Sequence, residues 1–170
     1  MYNDVLNVYE KGLMTGTSET IFEPNLETSC AMLVAVLYRL EGEPDVSGGA
    51  SFSDVSTGDW YTEAVHWAAK EGIVTGFNDG TFGPNQSLTR EQTATILYRY
   101  AEAKGMDVSA RADVSGFKDA ASISPYAQEA LEWAKAIGLM SGVGDNQLDP
   151  KGKTTRAQMA ALLTRFEALV

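Results

Sequence analysis

Residues 72–100 read GIVTGFNDGTFGPNQSLTREQTATILYRY. The same pattern recurs without a gap at 12–40 (GLMTGTSETIFEPNLETSCAMLVAVLYRL) and at 138–166 (GLMSGVGDNQLDPKGKTTRAQMAALLTRF). All three copies keep paired glycines (Gly12 and Gly16, Gly72 and Gly76, Gly138 and Gly142), a proline (Pro24, Pro84, Pro150) and, five residues on, a hydroxyl residue (Ser29, Thr89, Thr155). A fixed internal period changes the whole reading of a fold, because units that recur in register share one packing scheme. The chain is one unit written three times.

A chain of 170 residues is long enough to bury one core, and 44% apolar with 21% charged residues is ordinary globular composition. The three units are therefore expected to share that core. A formal charge of −10 argues against nucleic acid and against an anionic membrane surface as main partners, since both require basic patches. A single cysteine, Cys30, excludes an internal disulfide. Met1 is followed by YNDVLNVYEKG, which has neither the basic nor the apolar region of a secretory signal, so the signal of an exported protein would lie outside this stretch. No stretch approaches the roughly 20 apolar residues of a membrane span.

Ahead of each copy lies a short helix candidate, at 2–11, 61–71 and 126–137. In the third, Tyr126, Ala130, Leu131, Ala134 and Ile137 recur at helical spacing beside Trp133; Trp60, Ala64, Val65, Trp67 and Ala68 do nearly the same in the second. Gly12, Gly72 and Gly138 then supply the positive-φ stop of a helix end. A turn-rich loop follows, with Phe22, Phe82 or Leu148 as an apolar plug, and Ser29, Thr89 and Thr155 are N-caps of a second helix. That helix carries Leu33, Val36, Leu37 and Leu40 in the first copy, Thr93, Ile96, Leu97 and Tyr100 in the second, and Met159, Leu162, Leu163 and Phe166 in the third. Three wide stripes of this kind predict a central three-helix bundle.

Linkers at 42–51 and 105–116 separate the units, giving a first repeat over 1–46, a second over 52–107 and a third over 117–170, together one domain. The second and third open on Phe52-Ser53-Asp54 and Phe117-Lys118-Asp119, an F-x-D element that the first lacks, so the first is read as incomplete at its start. Strand signals are weak, apart from short extended pieces expected at 52–55 and 80–83.

The F-x-D opening, the aromatic-led first helix, the G-[IL]-[VM]-[ST]-G turn, and a T-R-[EA]-Q helix start ending in LYRY or LTRF resemble the S-layer homology (SLH) module of bacterial surface proteins. The resemblance covers nearly the whole chain. It implies an all-α, pseudo-threefold domain of three helix-loop-helix repeats around a central three-helix bundle. It further implies noncovalent anchoring of a longer surface protein to the cell envelope, through an anionic secondary cell-wall polysaccharide, by way of a pyruvylated sugar bound in grooves between repeats. By position it carries the family's Thr-Arg pair onto Thr89-Arg90 and Thr155-Arg156.

Chemistry supports those positions. A pyruvyl ketal is a small carboxylate, and a helix start offers free N–H groups and a favourable dipole, while an arginine next to the cap adds a planar fork of donors. Of the aromatics Trp60, Trp67, Tyr126 and Trp133, Trp60 at a loop-helix junction is the favoured sugar-stacking residue; Trp67 and Trp133, on apolar faces, are read as core. Gly76 and Gly142 serve backbone geometry and allow close approach of a ligand. Arg39, Arg99 and Arg165 are read as cations complementing helix C-termini. In the first repeat Ser29-Cys30 replaces Thr-Arg, which keeps the cap and removes the guanidinium, so at most two competent sites are expected, those using Arg90 and Arg156.

Other classes fit less well. His66 is the only histidine and reads as a half-exposed surface residue, Cys30 has no partner base in sequence, and no phosphate loop or zinc cluster occurs, so no enzyme, cofactor or metal is expected. Asn78-Asp79-Gly80 and Asp145-Asn146 lack the spacing and closing glutamate of a calcium loop. The alternative is a protein-interaction or self-assembly scaffold on the same fold, with no sugar in its grooves.

Overall fold

The computed structural model describes residues 2–48 and 50–169. Six helices account for the regular structure among them: α1 (Tyr2–Glu10), α2 (Cys30–Leu40), α3 (Thr62–Lys70), α4 (Arg90–Ala103), α5 (Gln128–Ala136) and α6 (Arg156–Glu167), with single 3₁₀ turns at Ala120–Ser122 and Pro125–Ala127. Each long helix (α2, α4, α6) begins immediately after the predicted cap. Each short helix ends ahead of a glycine at φ 67°, 73° or 74° (Gly12, Gly72, Gly138), a backbone state that a side chain would strain.

The long helices bring their stripes together. Leu33, Leu37, Leu97, Leu163, Met159 and Phe166 lose all contact with solvent and belong to one continuous core, and the Tyr100 and Phe166 rings meet at 5.6 Å. Full burial of each such side chain is worth about 1.5–3 kcal/mol, so this shared centre dominates stability. Trp67 and Trp133 are buried here as expected, against Tyr100 and Tyr98 respectively.

Each short helix packs on the long helix of the preceding copy in cyclic order: α3 on α2, α5 on α4, and α1 on α6. The last pairing joins the two ends of the chain. Asn7 Nδ2 donates to Thr164 Oγ1 at 3.1 Å, and Lys11 pairs with Glu167 at 3.1 Å. Packing therefore straddles the boundaries that the sequence draws.

At the opposite side of the core three backbone segments close a ring. Thr28 N donates to Thr154 O (2.8 Å), Thr154 N to Leu88 O (3.0 Å) and Leu88 N to Thr28 O (2.9 Å). This triangle satisfies six buried polar groups and sets the pseudo-threefold relation of the helix starts.

The extended pieces expected at 52–55 and 80–83 do not become strands; the described residues contain no strand, only isolated bridges. Side-chain bonding takes the place of a ladder. Asp54 accepts from Phe82 N (2.7 Å) and Gly83 N (2.8 Å), and Asp119 accepts from Leu148 N (2.9 Å) and Asp149 N (2.7 Å). The phenylalanine of the same element lies against the second glycine. A Cβ on Gly76 would stand 2.4 Å from Phe52 Cε1, and one on Gly142 3.1 Å from Phe117 Cε1.

Candidate functional site

The helix starts are already occupied by protein. In α6, Arg156 N and Ala157 N donate to Leu26 O (2.8 Å) and Pro24 O (2.9 Å) of the first copy's proline loop. In α4 the corresponding donors reach Gly152 O and Pro150 O, and in α2 they reach Gln86 O and Pro84 O. The third N–H of each helix goes to its cap, Ser29, Thr89 or Thr155. Thr89 and Thr155 each complete a capping box, with Gln92 and Gln158. The expectation of free N–H groups for an anion is thus corrected: neighbouring carbonyls take the donors, and the two threonines hold helix geometry.

The arginines behave likewise at their inner edges. Arg156 donates from Nε to Phe22 O (2.8 Å) and from Nη2 to Thr15 O (2.5 Å), with its guanidinium 4.4 Å from the centre of the Phe22 ring. Arg90 donates from Nε to Leu148 O (3.0 Å) and from Nη2 to Ser141 O (2.9 Å). They are 5% and 8% exposed. Burial pulls both guanidinium pKa values down, opposed by Glu23 at Arg156 and by Asp149 at Arg90, and guanidinium stays cationic throughout the ordinary pH range. In both, Nη1 has no protein partner among the described residues.

Each cation therefore belongs to the loop of the next copy, and the grooves are composite. One groove, about 470 Å³, is lined by Thr15, Gly16 and Thr17 of the first copy, Arg39 of α2, Trp60 of the second copy and Arg156 of the third. A second, about 320 Å³, is lined by Thr75, Gly76 and Phe77, by Gln92 and Arg99 of α4, by Tyr126, and by Cys30 where the first groove has Arg156. Arg90 contacts Ser141 beside Gly142, in the third loop.

Of the residues picked from sequence, Arg156 and Trp60 meet in one cavity, whereas Gly76 meets Cys30 and Arg90 lies next to Gly142. Sequence order attaches the loss of Thr-Arg to the first copy. The fold attaches it to the second copy's loop. Trp60 is 62% exposed, with its ring edge-on to Tyr61 at 5.2 Å. It also forms a wall of a neighbouring cavity of about 530 Å³ that His66 lines with Glu43, Asp59 and Glu63.

Arg39 was missed as a groove residue. Besides donating from Nη1 to Leu13 O (3.0 Å), it lines the Arg156 groove with Met32 and Val36. Their spacing of i, i+4 and i+7 is one helix stripe, repeated by Gln92, Ile96 and Arg99, and this was the available signal. No helix of the described residues is long and apolar enough to cross a membrane.

A ring of helix-loop-helix units with inter-repeat grooves defines the class of the protein, and comparison with known families agrees. The S-layer homology domain model matches residues 51–94 and 116–160, and the chain belongs to that family. It is 35% identical over 162 residues to an amylopullulanase of Thermoanaerobacterium thermosulfurigenes, covering 94% of this chain and 9% of that protein. It is 30% identical over 164 residues to the surface-layer 125 kDa protein of Lysinibacillus sphaericus (95% and 13%), and 27% identical over 155 residues to the cellulosome-anchoring protein of Acetivibrio thermocellus (85% and 33%). The chain thus spans a third or less of the length of these relatives. The family places it at the cell surface.

Proposed function

We propose that this domain anchors a longer protein to the bacterial cell surface by binding a secondary cell-wall polysaccharide, and that the unit recognised is a sugar bearing a carboxylate, such as a pyruvate ketal. The observation that carries this reading is the convergence of two guanidinium groups, Arg156 and Arg39, and the exposed Trp60 ring on one cavity. A planar fork of donors pairs with a carboxylate, and an indole face stacks on the apolar side of a sugar ring. Arg156 suits the task because its inner donors are fixed to backbone carbonyls, which holds the side chain in place before a ligand arrives. The role is binding and not catalysis.

The test is sedimentation of the purified domain with isolated cell walls, before and after mild acid removal of ketals and after extraction of the polymer. Binding is expected to fall with either treatment. Binding indifferent to both would favour a protein-interaction or self-assembly scaffold instead.

A further inference from the structure

The groove at Thr75–Phe77 and the groove at Thr15–Thr17 have the same frame and different electrostatics. Cys30 N and Ala31 N bond Gln86 O and Pro84 O just as Arg156 N and Ala157 N bond Leu26 O and Pro24 O, so residue 30 occupies the backbone position of Arg156. Thr75 O and Phe82 O, counterparts of the carbonyls that fix Arg156, accept no hydrogen bond among the described residues. The side chain that would use them is a partly buried thiol, which burial pushes up to about 12 and so keeps uncharged.

A second exchange acts in the same direction. Tyr126 stands in this groove where Trp60 stands in the other, and its hydroxyl donates to Glu91 Oε1 at 3.3 Å. Glu91 is buried, receives bonds from Ser124 N and Oγ and from Lys151 Nζ (2.5 Å), and has Ala31 as its counterpart behind the Arg156 groove. One groove has thus lost a cation and gained a carboxylate behind its aromatic wall, with Lys151 offsetting part of the latter. Arg99 remains, and the rest of the lining is mainly apolar (Phe77, Phe82, Leu88, Ile96) with the hydroxyls of Thr75 and Thr95 and the Gln92 amide.

We propose that Cys30 is the specificity-determining residue of this groove: with cysteine there the groove takes an uncharged sugar residue of the polymer, and arginine there would turn it into a further carboxylate site. The proposal rests on the anchoring reading above. Apolar surface, hydroxyls and an amide are the surroundings that a neutral sugar requires, whereas a carboxylate would have to approach without a guanidinium fixed to the loop.

The test uses the whole chain, isotope-labelled for two-dimensional NMR, with two probes: the methyl glycoside of a 4,6-pyruvate-ketal N-acetylhexosamine, and the same glycoside without the ketal. In the wild type the ketal glycoside is expected to shift Thr15–Thr17 and the Trp60 indole, and the neutral glycoside Thr75–Phe77 and Tyr126. In Cys30→Arg the ketal glycoside should also shift Thr75–Phe77, with at least a roughly tenfold gain in affinity there. Cys30→Lys, which brings charge without the fork, serves as a second variant if the arginine variant loses its helical circular dichroism. Three results would overturn the proposal: ketal binding at Tyr126 in the wild type as strong as at Trp60, no gain there in either variant while Trp60 still responds, or a neutral glycoside silent at Tyr126. A Trp60 groove silent to the ketal glycoside would instead sink the anchoring reading.

Discussion

The Arg156 groove and the Cys30 groove are built on the same plan, loop, long helix, aromatic and cap, yet they differ in what they offer a ligand. In the first, a fixed guanidinium, Arg39 and an exposed indole face one cavity; in the second, a thiol replaces the guanidinium and a phenol tied to a buried glutamate replaces the indole. The difference teaches that a repeat does not own its groove. Each of these two grooves takes its loop and long helix from one copy, its aromatic from the next and its helix-start residue from the one before, because the helix starts reach forward into a neighbour's proline loop.

The largest effect is expected from Arg156→Ala. It removes the fixed cation from the groove and leaves Phe22 O and Thr15 O unpaired. Affinity for wall polymer should fall by about a hundredfold or more, with about 1–3 kcal/mol of stability lost, as read by calorimetry and urea unfolding. Retained affinity would remove the main distinction between the two grooves.

Next is Trp60→Ala, expected to weaken polymer binding by roughly tenfold through lost stacking. Since Trp60 is largely exposed, the melting temperature should move little. A large drop in stability would show that the indole is a packing residue and not a ligand platform.

Glu91→Gln tests the polar clamp that sets the Cys30 groove apart. Burial raises the Glu91 carboxyl pKa, but bonds from Lys151 and Ser124 outweigh it and hold the group below the ordinary glutamate value. A depressed folded value means that the stabilisation is full above the unfolded value of about 4.3 and disappears as pH falls through the folded one. Glu91→Gln should therefore be less stable at neutral pH, by about 1–3 kcal/mol, and lose less on acidification. Equal pH slopes in the two proteins would show that the clamp carries no charge-dependent stability.

The smallest effect is expected from Tyr126→Phe, which removes the hydroxyl bonded to Glu91 and keeps the ring. Binding of a carboxylate-bearing sugar should change by less than about twofold, since the site proposed for it is the Arg156 groove. A loss as large as that in Trp60→Ala would erase the functional difference between the grooves.

Much of the fold could be read directly. Hydroxyl caps, glycine stops and apolar stripes act over a few residues, so Ser29, Thr89 and Thr155 marked the three long helices to the residue. The short extended pieces did not follow, because the carboxylates of Asp54 and Asp119 satisfy the loop N–H groups that a strand partner would otherwise bond. The site was legible in part. Arg156 and Trp60, picked by their types and places in the repeat, line one cavity, while Arg39 was read as a helix-end cation because nothing in sequence says which stripe of α2 faces that cavity.

The unit is written in the order of residues: its caps, its turns, its core stripe, and the one position where arginine gives way to cysteine. Only the tertiary structure decided which residues share a groove. Helix starts find their hydrogen-bond acceptors on another copy, and short helices find their apolar partners on the preceding one, so the neighbours of Arg156 are Thr15 and Trp60, 141 and 96 positions away along the chain. Local chemistry is written in local order. Cooperation between copies is set by which donors and faces remain unsatisfied until the ring closes, and that is a property of the folded chain.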